Sequence, residues 1–280
     1  MITHTACTRT QGEFIGSALK IGSDLFSITD KKNTFGNGLD VDLISAEFGM
    51  WCTGKQYDTI LAIGSSMGGF NALVFGPCLG AVSVMAITPR FSVHPEVFPT
   101  LKWPNLARLR DEITIPVSEW KYKTAEDEMA GKQVHTYLFH GGDEAEAQHA
   151  DMFSPGKQRC HLCIAGASHD AMPVILKQKG MFVPLLRACR DMASADTVDK
   201  VFQDAGLPYW RQSPCVSDAE RLTHHLKSMS MVHCKQHQQL RQLQAEIEKL
   251  QRHNGWFQFS GPNLSQVASE ESSIVGSRLI

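Results

Sequence analysis

The chain alternates short, nearly continuous apolar runs with longer segments of mixed polarity. Runs that are apolar at almost every position are typical of strands buried on both faces of a parallel sheet. Their alternation with helix-length segments predicts an α/β layer fold, with a mostly parallel sheet flanked by helices. The predicted strands are 14–21, 24–28, 59–64, 81–87, 134–140 and 159–165, and the predicted helices are 39–54, 67–79, 104–112, 144–152 and 170–192.

Changes in composition divide the chain into parts. Residues 1–190 carry the alternating pattern and are predicted to form the α/β domain. Within them, 96–133 is longer than an ordinary crossover and rich in Trp, Pro and charge, so it is a candidate cap over a site at the strand ends. A Pro-containing linker with one short helix is expected over 191–217, a long helix over 218–253, and a flexible Ser-rich tail over 254–280.

The helix predicted over 218–253 has one narrow apolar stripe. Its apolar residues recur at alternating steps of four and three from Leu222 to Leu250, and His233 and Gln236 interrupt this seam. Almost every other position is Gln, Lys, Glu, Arg or His, which favours a coiled coil and hence a homodimer through 218–253. Packing of the stripe on the chain's own domain is the alternative.

Charge and hydropathy argue against several classes of protein. The 27 basic and 29 acidic residues give a net charge of −2 without a basic patch, so no nucleic-acid partner is expected. No stretch approaches the ~18 consecutive apolar residues of a membrane span. The N-terminus also lacks the charged-then-apolar order of a signal peptide. We therefore expect no membrane span and a cytoplasmic protein.

The 8 cysteines are spread along the chain, which predicts free thiols rather than a disulfide framework. Cys160 and Cys163 form a C-x-x-C, but they lie in an apolar, strand-like run where positions three apart point to opposite faces. This spacing argues against a metal or redox site. We expect no metal and no cofactor.

The sharpest chemical signal is a G-x-S-x-G motif with Ser66 at its centre, flanked by Gly64 and Gly68. It follows a predicted strand and opens a predicted helix, which is the context that this motif requires. Such a turn presents the serine hydroxyl at a helix N-terminus, where free N–H groups can stabilise an oxyanion, and the Met67 N–H is one candidate donor. A phosphate-binding turn is the alternative, but neither G-x-G-x-x-G nor G-K-[ST] is present.

A nucleophilic serine needs a base, and the base needs an orienting acid. Asp143 and His169 each follow a predicted strand, so both are expected at the same edge of the sheet as Ser66. The order Ser66, Asp143, His169 is that of α/β-hydrolase sites. Asp143 could instead cap the helix that follows it. Three further carboxylates could then take its role: Glu144, Glu146 and Asp151.

At these residues the sequence resembles the α/β-hydrolase superfamily, over about residues 14–190. The stretches DLFSITDKKNTFGNGL, YDTILAIGSSMGGFNALVFG and SVMAITPRFSVHP are similar to a bacterial branch whose members often occur with glycan or polysaccharide biosynthesis proteins. Two features depart from the superfamily pattern. The N-terminal region is short, and the loop 29–32 stands where an H-G-G-G run would supply the second oxyanion donor.

The residues and the resemblance together favour a serine hydrolase that cleaves an ester or related acyl bond through a Ser-His-Asp triad and an acyl-enzyme. The expected substrate is a small-molecule or glycan ester. An acyltransferase acting on a glycan hydroxyl would use the same residues. A non-catalytic α/β-hydrolase scaffold, assembled through its coiled coil, is a hypothesis of a different class.

Overall fold

The computed structural model describes residues 1–6, 14–101 and 103–212, together with the helical residues Arg241 and Ala245. The coiled coil predicted over 218–253 therefore lies, apart from those two residues, outside the described part of the chain. The tail predicted over 254–280 lies outside it as well. The coiled coil, the tail and the homodimer all stay predictions.

Seven strands of the described residues form one sheet. They are β1 (Ile2–Ala6), β2 (Phe26–Asp30), β3 (Leu61–Ser65), β4 (Ser83–Ile87), β5 (His135–Gly141), β6 (Arg159–Ile164) and β7 (Tyr209–Arg211). Their order in the sheet is β2-β1-β3-β4-β5-β6-β7. Every neighbouring pair from β2 to β6 is parallel, and β7 runs antiparallel to β6 at the edge.

Helices connect the strands and cover both faces of the sheet. Several begin at a residue whose side chain accepts a hydrogen bond from the first turn, as Asp40, Thr124 and Ser194 do. The helices are α1 (Ile15–Lys20), α2 (Val41–Cys52), α3 (Met67–Phe75), α4 (Pro104–Asp111), α5 (Ala125–Met129), α6 (Glu144–Ala150), α7 (Ala171–Gln178), α8 (Phe182–Arg190) and α9 (Ala195–Asp204). None of the described helices has the length and hydropathy needed to cross a membrane.

The core consists of two apolar clusters, one on each face of the sheet. Neighbouring residues of the central strands belong to opposite clusters: Ala62, Val84 and Leu138 to the first, and Ile63, Met85 and Phe139 to the second. Burial on both faces explains why these strands are apolar at nearly every position. The predicted α/β fold, with a mostly parallel sheet flanked by helices, is confirmed.

The strand predicted over 14–21 is wrong, because this segment forms α1. Ala18 is buried, with Phe14 and Ile21 packed beside it at helical spacing, whereas Leu19 is 72% exposed. The first strand lies earlier, at β1, and went unpredicted. Thr3, His4 and Thr5 of this strand are polar but buried. The strand therefore lacks the apolar run by which the other buried strands were predicted.

The structure also extends the domain beyond residue 190, where the linker over 191–217 was expected to begin. Helix α9 places Val198 and Phe202, four residues apart, in the core with no exposed area. Strand β7 then pairs with β6, Trp210 lying opposite Cys163. The described part of this segment, up to Gln212, is therefore part of the folded domain.

Candidate active site

Ser66 lies at the sharp turn between β3 and α3. Its φ of 57° and ψ of −121° place it in a strained region that non-glycine residues rarely adopt. The Ser66 N–H donates to the carbonyl of Ile87 at 2.9 Å, which anchors the turn to β4. The strand, turn and helix predicted around this serine are all present.

Two glycines allow the strand and the helix to pass this closely. A Cβ on Gly64 would lie 2.0 Å from the carbonyl oxygen of Gly68. A Cβ on Gly68 would lie 2.3 Å from the carbonyl oxygen of His4 in β1. Both obstacles are backbone atoms, so the G-x-S-x-G pattern here reflects a three-way contact between β1, β3 and α3.

A chain of hydrogen bonds leads from the Ser66 hydroxyl to a buried carboxylate. Nε2 of His169 lies 2.8 Å from Ser66 Oγ, and Nδ1 of His169 lies 2.7 Å from Oε1 of Glu146. With the proton on Nδ1, the imidazole donates to Glu146 and accepts from the serine. The structure thus brings together the predicted Ser66 and His169, in the geometry of a nucleophile and its base.

Asp143, the residue expected to orient the imidazole, makes no hydrogen bond to it; the two ring nitrogens of His169 face Glu146 and Ser66. It is the N-cap of α6, and its Oδ1 accepts a hydrogen bond from the Glu146 N–H at 2.8 Å. The short side chain at a cap position folds back onto its own helix. Glu146 stands 3 residues further on with a longer side chain, and that side chain reaches His169. The expectation for Asp143 is corrected: the carboxylate that contacts the imidazole belongs to Glu146.

A sequence signal for Glu146 exists in the periodicity of α6. Glu146, His149 and Ala150 occupy positions i, i+3 and i+4, and all three are buried. A carboxylate on the buried face of a helix needs a partner, which points to a site. Glu144 and Asp151, the remaining two carboxylates considered for the orienting acid, are both exposed.

Arg90 is the residue of this site that sequence reasoning missed. It follows β4, its side chain is 2% exposed, and its Nη1 lies 3.0 Å from Oε1 of Glu146. The ring of Trp103 stacks on the guanidinium, whose central carbon lies 3.8 Å from the ring centroid. The same ring meets the His169 imidazole edge-on, at 4.4 Å between centroids. The sequence signal for Arg90 was its position as a single basic residue shortly after the apolar run 81–87.

Burial and charge set the protonation states of these groups. Burial raises the pKa of Glu146, and the Arg90 guanidinium opposes that change. Burial lowers the pKa of His169, and Arg90 lowers it further. Burial lowers the pKa of Arg90 to about 10, which leaves the guanidinium charged at neutral pH. His169 is therefore neutral at that pH and able to accept a proton.

The Met67 N–H, the predicted oxyanion donor, stands at the first position of α3, where a helix has no internal acceptor for it. The place expected for the second donor needs correction. The stretch 29–32 includes the last two residues of β2, the edge strand, and Asp30 there accepts hydrogen bonds from the backbone N–H groups of Thr34 and Gly36. Between β2 and β3 lies β1, and residues 7–13, which follow β1, lie outside the described residues.

The candidate cap, 96–133, contains α4, α5 and a short 3₁₀ helix at Val117–Glu119. It supplies Trp103 to the site. Phe98 is buried against the ring of His149 and contributes packing instead. Cys160 and Cys163 are free, buried thiols. Within the described ranges, no group of three or more His, Cys, Asp or Glu residues is arranged to hold a metal ion.

No protein-family model matches the chain, and no curated protein matches its sequence significantly. Among solved structures, it is similar to the capsule O-acetyltransferase of Neisseria meningitidis serogroup A, at 14% identity and a TM-score of 0.45, over 67% of this chain and 85% of that one. It is also similar to a lipase/esterase from Lactobacillus plantarum, at 12% identity and a TM-score of 0.38, over 65% of this chain and 86% of that one. A reaction depends on the residues of a site and not on its fold.

Proposed function

We propose that the chain is a serine-dependent enzyme that cleaves an ester or related acyl bond through an acyl-enzyme on Ser66. The observation that carries this proposal is the unbroken hydrogen-bond chain from Ser66 through His169 to Glu146. Its two links have the lengths of the working contacts in serine hydrolases. The strained backbone at Ser66 supports it, since such strain clusters at functional sites.

Each residue has a role in this mechanism. The Ser66 oxygen attacks the acyl carbonyl while Nε2 of His169 takes the hydroxyl proton. The Met67 N–H donates to the oxyanion that forms. Glu146 keeps the proton on Nδ1 and stabilises the imidazolium. His169 then gives its proton to the leaving oxygen, so that the bond breaks and Ser66 carries the acyl group.

The acyl acceptor decides between a hydrolase and a transferase. Water would release a carboxylic acid, whereas a second hydroxyl, such as one on a glycan, would give a new ester. In both cases His169 takes the proton of the acceptor as the acceptor oxygen attacks the acyl carbon. His169 then gives that proton to Ser66 Oγ as the bond between Oγ and the acyl carbon breaks. We propose a small-molecule or glycan ester as the acyl donor, and hydrolysis as the basal reaction.

A fluorophosphonate probe tests the nucleophile, because only an activated serine is labelled. We expect labelling of the native chain and of Ser65→Ala, which changes the neighbouring serine, and none of Ser66→Ala. Hydrolysis of p-nitrophenyl acetate should fall by roughly 10⁴-fold or more in Ser66→Ala. Equal labelling of the native chain and Ser66→Ala would rule out Ser66 as the nucleophile, and no labelling of the native chain would support the non-catalytic scaffold.

A further inference from the structure

The carboxylate of Glu146 has two partners on one oxygen. Oε1 accepts from Nδ1 of His169 at 2.7 Å and from Nη1 of Arg90 at 3.0 Å. The Glu146 side chain has no exposed area, and its Oε2 is buried without a hydrogen-bond partner. The proposed mechanism uses Ser66, His169 and Glu146 and gives Arg90 no role. The contact between the Arg90 guanidinium and the Glu146 carboxylate therefore needs a separate explanation.

The backbone before Arg90 is strained and anchored. Thr88 has a φ of 45°, in the left-handed region, which is a genuine outlier for a β-branched residue. The carbonyl of Pro89 lies 3.0 Å from Nε2 of His140, whose Nδ1 lies 2.8 Å from Nε2 of His161. Strain of this kind persists only where the surroundings hold it. The turn is thus fixed so that the next side chain, that of Arg90, enters the site.

The candidate cap closes over the same side chain. Trp103 covers the guanidinium of Arg90 and reaches the imidazole of His169 with the same ring. A cation over the face of a desolvated indole is stabilised by the ring. Arg90 is therefore held by the acid on one side and by the cap on the other.

We propose that Arg90 is a positioning residue of this site: it keeps the Glu146 carboxylate ionised and in one orientation, so that His169 faces Ser66 as a free base. This inference rests on the proposed function. A buried carboxylate without a cation tends to take up a proton, and a protonated Glu146 could no longer accept from Nδ1. A buried ion pair is otherwise weak evidence for stability, which leaves a role in the site as the reason for this one.

The other ionisable groups around this pair do not replace Arg90. Two histidines face it, and burial lowers the pKa of His140 to about 4 and that of His149 well below its usual value, so both are neutral near pH 7. Two carboxylates, Asp143 and Asp170, act on His169 in the direction opposite to Arg90. Removal of Arg90 would therefore leave the site with acidic neighbours alone.

The acid limb of the pH profile of kcat/KM tests the inference. Without the guanidinium, the pKa values of Glu146 and His169 both rise, so Arg90→Met should move the limb to higher pH by about one unit or more. Arg90→Lys keeps the charge and should stay close to the native limb. An unchanged limb in Arg90→Met, with Ser66→Ala inactive, would overturn the role of Arg90 and leave the proposed function standing. Activity retained in Ser66→Ala would overturn the proposed function itself.

A double variant tests the route of the effect and removes both buried charges together. We expect Arg90→Met to lower kcat/KM strongly in the native chain and to add little in a Glu146→Gln background, since Arg90 acts through that carboxylate. A loss of the same factor in both backgrounds would show that Arg90 acts independently of Glu146. If Arg90→Met alone does not fold, Arg90→Gln, which also removes the charge but keeps a polar side chain, provides the same comparison in the two backgrounds.

Discussion

At the scale of single residues, Asp143 and Glu146 show how position on a helix divides two carboxylates between two tasks. Asp143 precedes the first turn of α6 and accepts from its backbone. Glu146 lies inside that turn, on the buried face, and accepts from His169. Their side chains differ by one methylene, and their positions differ by less than one helical turn.

Exchanging each carboxylate for its amide separates these tasks. Glu146→Gln should lower turnover by roughly 10⁴-fold, because the imidazole loses its tautomer control and its counter-charge. Asp143→Asn should stay within a few-fold of native turnover, because Asn is also a good cap. Steady-state ester hydrolysis measures both, and Glu144→Gln is the matched control on the exposed face. A dead Asp143→Asn beside an active Glu146→Gln would restore Asp143 as the acid.

The sequence could predict Ser66 and His169, because each is marked by its local context, a strand before it and a turn around it. It could not single out Glu146. Which carboxylate of α6 reaches the imidazole depends on how that helix packs, and this is a tertiary property. Arg90 was out of reach for the same reason, since its partner lies 56 positions away.

At the scale of elements, a close contact behind the site is the crossing of β1 under the start of α3. The carbonyl oxygen of His4 occupies the space where a side chain on Gly68 would begin. A backbone carbonyl in a sheet cannot move without breaking its ladder. The position of the turn that carries Ser66 is therefore coupled to a strand at the very start of the chain.

Gly68→Ala should destabilise the domain by about 1–3 kcal/mol or more, because the new methyl group meets backbone. Gly49→Ala is the control, since nothing lies within 4 Å of its Cβ position in α2. It should stabilise the domain by about 0.5–1 kcal/mol, as Ala does in a helix interior. Urea unfolding measures both. Equal midpoints for the two variants would contradict the close crossing.

The hydrophobic pattern correctly predicted the strands whose buried residues are almost all apolar. The strands β3 to β6 are buried on both faces and read as apolar runs. β1 is equally buried, but His4 and its threonine neighbours made it read as polar. β7 has three residues, too few for any period, and α1 was mistaken for a strand because its apolar residues are closely spaced.

At the scale of the whole molecule, the interior holds histidines that are uncharged in the folded state. Burial lowers the pKa of His4 to about 3 and that of His140 to about 4, from an ordinary value of 6.5. Below pH 6.5 the unfolded chain therefore binds protons that the folded chain does not. Their contribution to stability is complete above pH 6.5 and is lost as the pH falls toward these lower values.

The free energy of unfolding should consequently fall between pH 6.5 and pH 5, and His4→Leu should reduce that fall by about 1.5 kcal/mol. The substitution should cost little at pH 7.5, because neither ring nitrogen of His4 has a hydrogen-bond partner. Urea titrations at the three pH values measure the effect. A variant with the native pH dependence would show that His4 is already protonated in the folded state at pH 5.

The coiled coil predicted over 218–253 implies that the chain forms a homodimer. Full-length chain should be a dimer at tens of micromolar that weakens below about pH 6, where His233 would become charged in the seam. A chain ending at residue 217 should be a folded monomer that keeps its ester hydrolysis, since the described site lies before that point. Light scattering decides this, and a truncated chain that stays dimeric would contradict the prediction.

The first turn of α6 closes through the bond from the Glu146 amide to Asp143, in a helix of only 7 residues. A helix this short draws its stability from packing against the rest of the domain, so its first turn is a place where local unfolding would act on the site. An opening of that turn would withdraw the carboxylate of Glu146 from the imidazole of His169. In the proposed enzyme, the fraction of competent molecules at any moment is thus a local folding equilibrium, and deuterium exchange at that one amide reports it. Conditions that loosen α6 would reduce the number of working sites while leaving the rate at each intact site unchanged.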